Sequence, residues 1–215
     1  MRWFTSDLHI NHKNIIEYCR RPCESVVDMN SLIVDRWNSL VKQDDEVFVV
    51  GDVFLGKPEE AEPWIRSLNG RKILISGNHD RSPRTMKSLG FDEVHNSMIV
   101  RVGEMSALLR HKPLPDSMIS PCDVQIHGHH HTGNRINGRR LNVAVDLWDF
   151  TPVSESQINK SMFNGLEEDS VTVSFESGYA KISAHVKVQH VEGLSEVLNE
   201  MVRNFWSKER EKVTK

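Results

Sequence analysis

The chain has 215 residues, of which 38% are hydrophobic and 27% charged, with a formal net charge of -3. Those values suit one globular domain, or one with an appendage, and exclude a disordered chain. They also exclude a global electrostatic pull toward nucleic acid or anionic membrane, so an anionic substrate has to be attracted locally, as bound cations would do.

The first half alternates short apolar runs with helical patterns. Residues 3–6 form a buried-strand candidate ending at Asp7, followed by a polar loop and a helical stretch over 14–19. A second helix is carried by Leu32, Ile33, Trp37 and Leu40. Residues 46–50 (EVFVV) read as a strand closed by Gly51 and Asp52, and 58–68 as a helix with Pro near its first turn and a stop at Asn69-Gly70. Residues 72–76 (KILIS) are a further strand, closed by Gly77, Asn78 and His79. Strands alternating with helices imply a largely parallel sheet, whose carboxyl edge is where ligands bind in open α/β folds.

From about residue 93 the texture shifts to shorter strands, at 97–101, 105–110, 123–127 and 141–145, with a turn signal at Asn137-Gly138. A second mixed or antiparallel sheet packed on the first is expected. Beyond residue 151, alternation around Glu176-Ser177-Gly178 predicts a hairpin. Leu194, Val197, Leu198, Met201, Val202, Phe205 and Trp206 then predict a strong amphipathic helix before a charged tail. That helix docks on the domain or forms a dimer, so monomer and homodimer both stay open.

The N-terminus MRWFTSDLHI has charges within its first seven residues and no signal-like apolar stretch, and no apolar run of about 18 residues occurs. A cytoplasmic protein without a membrane partner is expected. Cys19, Cys23 and Cys122 make neither a zinc knuckle nor a disulfide framework and read as free thiols.

Chemistry concentrates in five short segments: Asp7-Leu8-His9, Gly51-Asp52, Gly77-Asn78-His79-Asp80, His111, and His127-Gly128-His129. Each alone reads equally as a turn, a cap or a chance cluster; the eleven histidines, several beside Asp, Asn or Gly, make metal ligation worth weighing. The ordered set DLH, GDV, GNHD, H, HGHH resembles the calcineurin-like metallophosphoesterase superfamily over residues 3–152. The resemblance implies a four-layer α-β-β-α sandwich of two packed mixed sheets, with 1–152 as the core and 153–215 as an extension packed on it. It implies two divalent ions per chain, one held by Asp7, His9, Asp52 and His129, the other by Asp52, Asn78, His111 and His127. Asp52 would bridge, as a carboxylate between cations about 3.5–4 Å apart must. Imidazole, carboxylate and amide ligands suit manganese, iron, zinc or nickel and fit calcium poorly.

The implied reaction is hydrolysis of a phosphate ester by in-line attack of a metal-bridging hydroxide, with phosphodiesterase favoured over phosphomonoesterase, nuclease and non-catalytic scaffold in that order. His79 would stabilise the transition state or protonate the leaving oxygen, with Asp80 orienting it. His12, Asn14 and Arg21 are candidates for substrate contact, a solvated helix start being an equal reading. Asp146 supports a ligand histidine or simply makes a turn. His130 and His131 are expected to border the site, and Trp148 and Phe150 to pack. The substrate is expected to be a phosphate-ester small molecule or nucleotide. Nucleic acid has no support beyond the short basic stretch from Arg135 to Arg140.

Overall fold

The computed structural model describes residues 1–167, 170–177 and 180–187. Its first half runs β1 (Arg2–Thr5), α1 (Lys13–Tyr18), α2 (Val26–Leu40), β2 (Glu46–Val49), α3 (Pro58–Arg66), β3 (Arg71–Ile75), α4 (Pro83–Ser88) and β4 (Glu93–His95). Then follow β5 (Met98–Val102), β6 (Met105–Leu109), β7 (Val124–His127), β8 (Ile136–Asn137), β9 (Arg140–Asn142) and β10 (Val153–Ser154). Helix α5 (Glu155–Glu167) and the strands β11 (Ser170–Ser177) and β12 (Ala180–Lys187) complete the described elements. The chain divides into two compact units, Met1–Lys160 and Ser161–Lys215.

The first unit is an α/β sandwich of two five-stranded mixed sheets with helices, the architecture the sequence implies. One sheet has the order β10-β1-β2-β3-β4, in which β1 to β4 are parallel and β10 pairs antiparallel with β1. The other has the order β5-β6-β7-β9-β8, with β6, β7 and β9 parallel and antiparallel strands at both edges.

Strands β1, β2 and β3 are near-continuously apolar because both faces of their sheet are covered. On one face Trp3, Val47, Val49 and Leu74 share a core with Met29, Ile33 and Trp37 of α2 and with Ala61 and Ile65 of α3. On the other, Phe4 and Phe48 stack with ring centroids 5.1 Å apart, and Ile73 and Ile75 are buried beside them. Strands β5 and β6 alternate instead: β6 buries every second residue, and β5 alternates half-buried with exposed residues before the buried Val102. The buried stripe of α2 is Met29, Ile33 and Trp37; Leu40, expected on it, is the last residue of the helix and is exposed there.

Local chemistry sets the helix ends. Ser25 caps α2 by accepting the Asp28 amide proton at 3.1 Å. Helix α3 starts on Pro58, carries Glu59 and Glu60 in its first turn and Arg66 in its last, matching the helix dipole. The predicted hairpin is the antiparallel pair β11–β12, with Ser170 opposite Lys187 and Ser177 opposite Ala180. The predicted amphipathic helix over 194–206 lies outside the described residues.

Trp37 is 1% exposed and donates its indole N–H to the Asn69 carbonyl at 3.0 Å, tying α2 to the turn before β3. Trp37→Ala is expected to lower stability by about 3–5 kcal/mol in urea unfolding. A loss under about 1 kcal/mol would mean the α2–sheet core is not packed as described.

Candidate metal centre

Parallel strands deliver their carboxyl ends to one edge, and the loop after β1 is laced to the loop after β2 by backbone bonds. The Asp7 amide donates to the Gly51 carbonyl at 2.9 Å, His9 to Asp52 at 3.1 Å and Ile10 to Val53 at 2.9 Å. The second sheet joins at the same place. The Ser6 amide donates to Val143 at 3.0 Å, just past β9, and Gly128, just past β7, donates to His111 at 3.0 Å. Asp7, His9, Asp52 and His129 all have left-handed backbone, with φ of 58°, 52°, 58° and 71°. Such conformations cost on the order of 1 kcal/mol or more each for residues with a Cβ, and their clustering marks a functional site.

Two sets of three side chains gather here, each with ligand atoms within 4.8 Å of one another: Asp7 with His9 and His131, and Asp52 with His111 and His129. The sets are adjacent. His9 Nε2 lies 3.9 Å from Asp7 Oδ1 and 3.8 Å from Asp52 Oδ2, and His111 Nε2 lies 3.3 Å from Asp52 Oδ2. Asp7 Oδ1, His9 Nε2 and His111 Nε2 are sealed from solvent without a hydrogen-bond partner. Three orphaned donor atoms converging on carboxylates are what divalent cations would satisfy, so the residues fit such ions.

The rings are aimed from behind. His111 Nδ1 donates to the Val50 carbonyl at 2.8 Å, which turns its Nε2 toward Asp52. His131 Nδ1 bonds Asp146 Oδ2 at 2.7 Å, leaving Nε2 3.6 Å from Asp7 Oδ1. Asp146 is held in turn by Arg21, whose Nε and Nη2 donate to its two oxygens at 2.9 and 3.0 Å. The buried Arg21 guanidinium also donates to the Leu8 and Asp7 carbonyls, both at 2.8 Å. Glycine makes the close approaches possible: a Cβ on Gly77 would collide with Asp52 Oδ1, and one on Gly128 with Asp7 Oδ2.

Burial dominates the electrostatics. It pushes the Asp7 carboxyl up despite the hydrogen bond from Ser6, and it pulls His9 down to about 3 against the attraction of Asp52. Asp52 falls to about 2, since bonds and charge from His111 outweigh burial, and His111 rises correspondingly against its own burial. His9 therefore offers a bare lone pair at neutral pH.

The expected residues come together with a shift in the histidine run. The structure brings Asp7, His9, Asp52 and His111 together, with His131 beside Asp7 and His9, where His129 was expected. His129 joins Asp52 and His111, where His127 was expected. His127 belongs to neither set; its Nδ1 bonds the Gly128 carbonyl at 2.7 Å. The spacing His129-x-His131 repeats Asp7-x-His9, each segment opening on left-handed backbone, and was the available signal.

Asn78 is exposed beside His79, whose amide donates to Asp52 Oδ1 at 3.0 Å and whose Nε2 lies 3.9 Å from Asp52 Oδ2. The His79 ring is 42% exposed and faces His9 with centroids 5.5 Å apart. Asp80, expected to orient that ring, instead accepts from three backbone amides, Asp52 at 3.0 Å, Val53 at 2.9 Å and Gly77 at 2.7 Å. It clamps the loops after β2 and β3. Arg21, a substrate candidate, is corrected likewise, because every contact above is internal and its side chain is inaccessible. His12 Nδ1 reaches His9 Nδ1 at 3.4 Å from the site rim, while Asn14 is exposed on α1.

No protein-family model matches the chain. The uncharacterized protein MJ1445 of Methanocaldococcus jannaschii is 31% identical over 172 residues, spanning 76% of this chain and 92% of MJ1445. The Gene 66 protein of Mycobacterium phage L5 is 32% identical over 181 residues, spanning 68% of this chain and 86% of the phage protein. Among solved structures, AQ665 from Aquifex aeolicus, a protein of unknown function, superposes with a TM-score of 0.64 at 28% identity, covering 75% of this chain and 98% of that one.

A carboxyl whose folded-state pKa is raised withdraws stability as pH climbs from the acid range through that pKa, so at pH 7 Asp7 opposes folding of the metal-free chain. Asp7→Asn is therefore expected to stabilise the chelated protein by about 1–2 kcal/mol. It should also abolish the stabilisation by manganese, about 2.7 kcal/mol for wild type at a hundredfold excess over Kd. An Asn variant that manganese still stabilises in full would remove Asp7 from the centre.

Proposed function

The chain belongs to the family of MJ1445 and the mycobacteriophage Gene 66 proteins, and from the site it builds we propose that it is a metal-dependent phosphoesterase, with phosphodiesters as substrates. The observation that carries the reading is the pair of three-residue sets sharing one edge, with orphaned donor atoms of Asp7, His9 and His111 turned toward the two carboxylates. The ordered motifs that resemble metallophosphoesterases support it from the sequence.

Asp7, His9 and His131 would hold one divalent ion and Asp52, His111 and His129 the other, with Asp52 near enough to His9 to be shared. Such ions supply Lewis acidity toward phosphoryl oxygens and acidify water near neutral pH. The chain's own residues supply the rest. Asp146 and Arg21 fix the tautomer and direction of His131, and the Val50 carbonyl does so for His111. Asp80 holds the loops after β2 and β3 at constant separation, which keeps Asp52 and His79 in register. The His79 imidazole is partly open to solvent beside Asp52, so it is placed to deliver a proton to a departing alkoxide or to bond a phosphoryl oxygen. Manganese and two ions per chain are part of this proposal.

Hydrolysis of an aryl phosphodiester and the matching monoester, with manganese and with chelator, tests the reading in wild type and His79→Ala. The expected result is metal-dependent cleavage that favours the diester and falls about 10²–10⁴-fold in the variant. A preference for the monoester would reassign the same site as a phosphatase. Full activity in chelator would overturn the metal reading.

A further inference from the structure

Behind the metal centre the 127–131 turn has a second side. A cavity of about 190 Å³ opens there, lined by His127, His130, Thr132, Asn134, Asn137 and Arg140 among others, with the Asp116 carboxylate against Arg140. Its hydrogen-bonding capacity is largely unspent. His127 is 5% exposed, and with Nδ1 committed to the Gly128 carbonyl its Nε2 has no partner among the described residues. Arg140 Nε faces Asp116 Oδ1 at 3.2 Å without the alignment of a hydrogen bond, and its two terminal nitrogens have no partner among the described residues. Asn134 and Asn137 are exposed at the mouth.

The cavity adjoins the ligands. The His130 ring, in its wall, lies 5.6 Å from the His129 ring, and His129 belongs to the Asp52 set. On the opposite side of the turn, Gly128 presses against Asp7. A volume of this size is below that of ordinary small-molecule pockets and admits a phosphate-sized group, not a whole nucleotide. A guanidinium with free terminal nitrogens, flanked by amide and hydroxyl donors, is a recognition set for an oxyanion, and charge-assisted bonds make it a strong one.

We propose that this cavity is a phosphate subsite that takes a second phosphate of the substrate while the metal centre takes the scissile one. The assignment rests on the phosphoesterase reading and deepens it: the preferred substrates are esters that carry a neighbouring terminal phosphate. Of the basic stretch from Arg135 to Arg140 only Arg140 lines the cavity; Arg135 bonds the Leu147 carbonyl and Arg139 the Cys122 and Asp123 carbonyls.

The test pairs a dinucleotide bearing a 5′-terminal phosphate with the same dinucleotide lacking it, using the full chain with manganese. Wild type should show a KM about tenfold lower for the phosphorylated substrate. Arg140→Gln should erase that preference, and Asn134→Ala, at an exposed position that folding tolerates, should narrow it. Calorimetry with inorganic phosphate in chelator reads the cavity without turnover. Binding that weakens at least tenfold in Arg140→Gln supports the subsite even if no ester is cleaved, in which case the hydrolase reading fails alone. Equal KM values for the two dinucleotides in wild type, or the same loss on both in Arg140→Gln, or phosphate binding indifferent to Arg140, overturns the proposal.

Discussion

The structure turns on the burial of two carboxylates, Asp7 and Asp52, at the meeting edge of two sheets. Taking an ionised carboxylate out of water is expensive unless charge and hydrogen bonds replace the lost solvation. Here the replacement is deliberately incomplete. One Asp7 oxygen receives the Ser6 hydroxyl at 2.6 Å and the His129 amide at 2.9 Å, while the other receives nothing. The surrounding imidazoles point lone pairs inward. The centre is thus electrostatically unfinished, and completing it requires positive charge.

Holding unfinished charge in place demands rigidity, which comes from buried polar residues that take no direct part. Arg21 gathers two carbonyls of the β1 loop and the carboxylate of Asp146 into one fork, so the direction of His131 is referred back to the loop that carries Asp7. Asp80 does the same for the loops after β2 and β3 with a single carboxylate and three amides. Burial raises the pKa of Asp80 against the effect of those amides. Left-handed backbone at four ligand positions is tolerated because these clamps, together with the backbone lacing, determine the loops from outside.

Much of this was legible in the sequence because the strands of the first sheet are unambiguous apolar runs closed by Gly, Asp or Asn, so EVFVV and KILIS placed Asp52 and Asn78 at a sheet edge directly. The histidine run was harder. Five residues from His127 to His131 hold four imidazoles, and only the path of the turn decides which of them face the carboxylates; in the structure they are His129 and His131. Arg21 and Asp146 are 125 residues apart in sequence, and Asp80 binds amides 27 and 28 residues away as well as near ones. A polar side chain whose partners are distant backbone groups leaves no periodic trace, which is why these two residues were read as substrate-facing and ring-orienting. Helix α4 and strand β4 were also missed. At six and three residues, they are too short for a pattern to rise above turn chemistry.

The turn after β7 divides its histidines between two surroundings. His129 and His131 turn to the carboxylates, and His130, between them, turns to the cavity. Replacing His130, Asn134 or Arg140 alters the far wall while the ligand pair stays seated on its own supports. If the cavity selects and the metal centre reacts, as proposed, a lineage carrying this fold can drift in what it accepts while its reacting positions stay fixed, because the two sets of positions interleave in sequence.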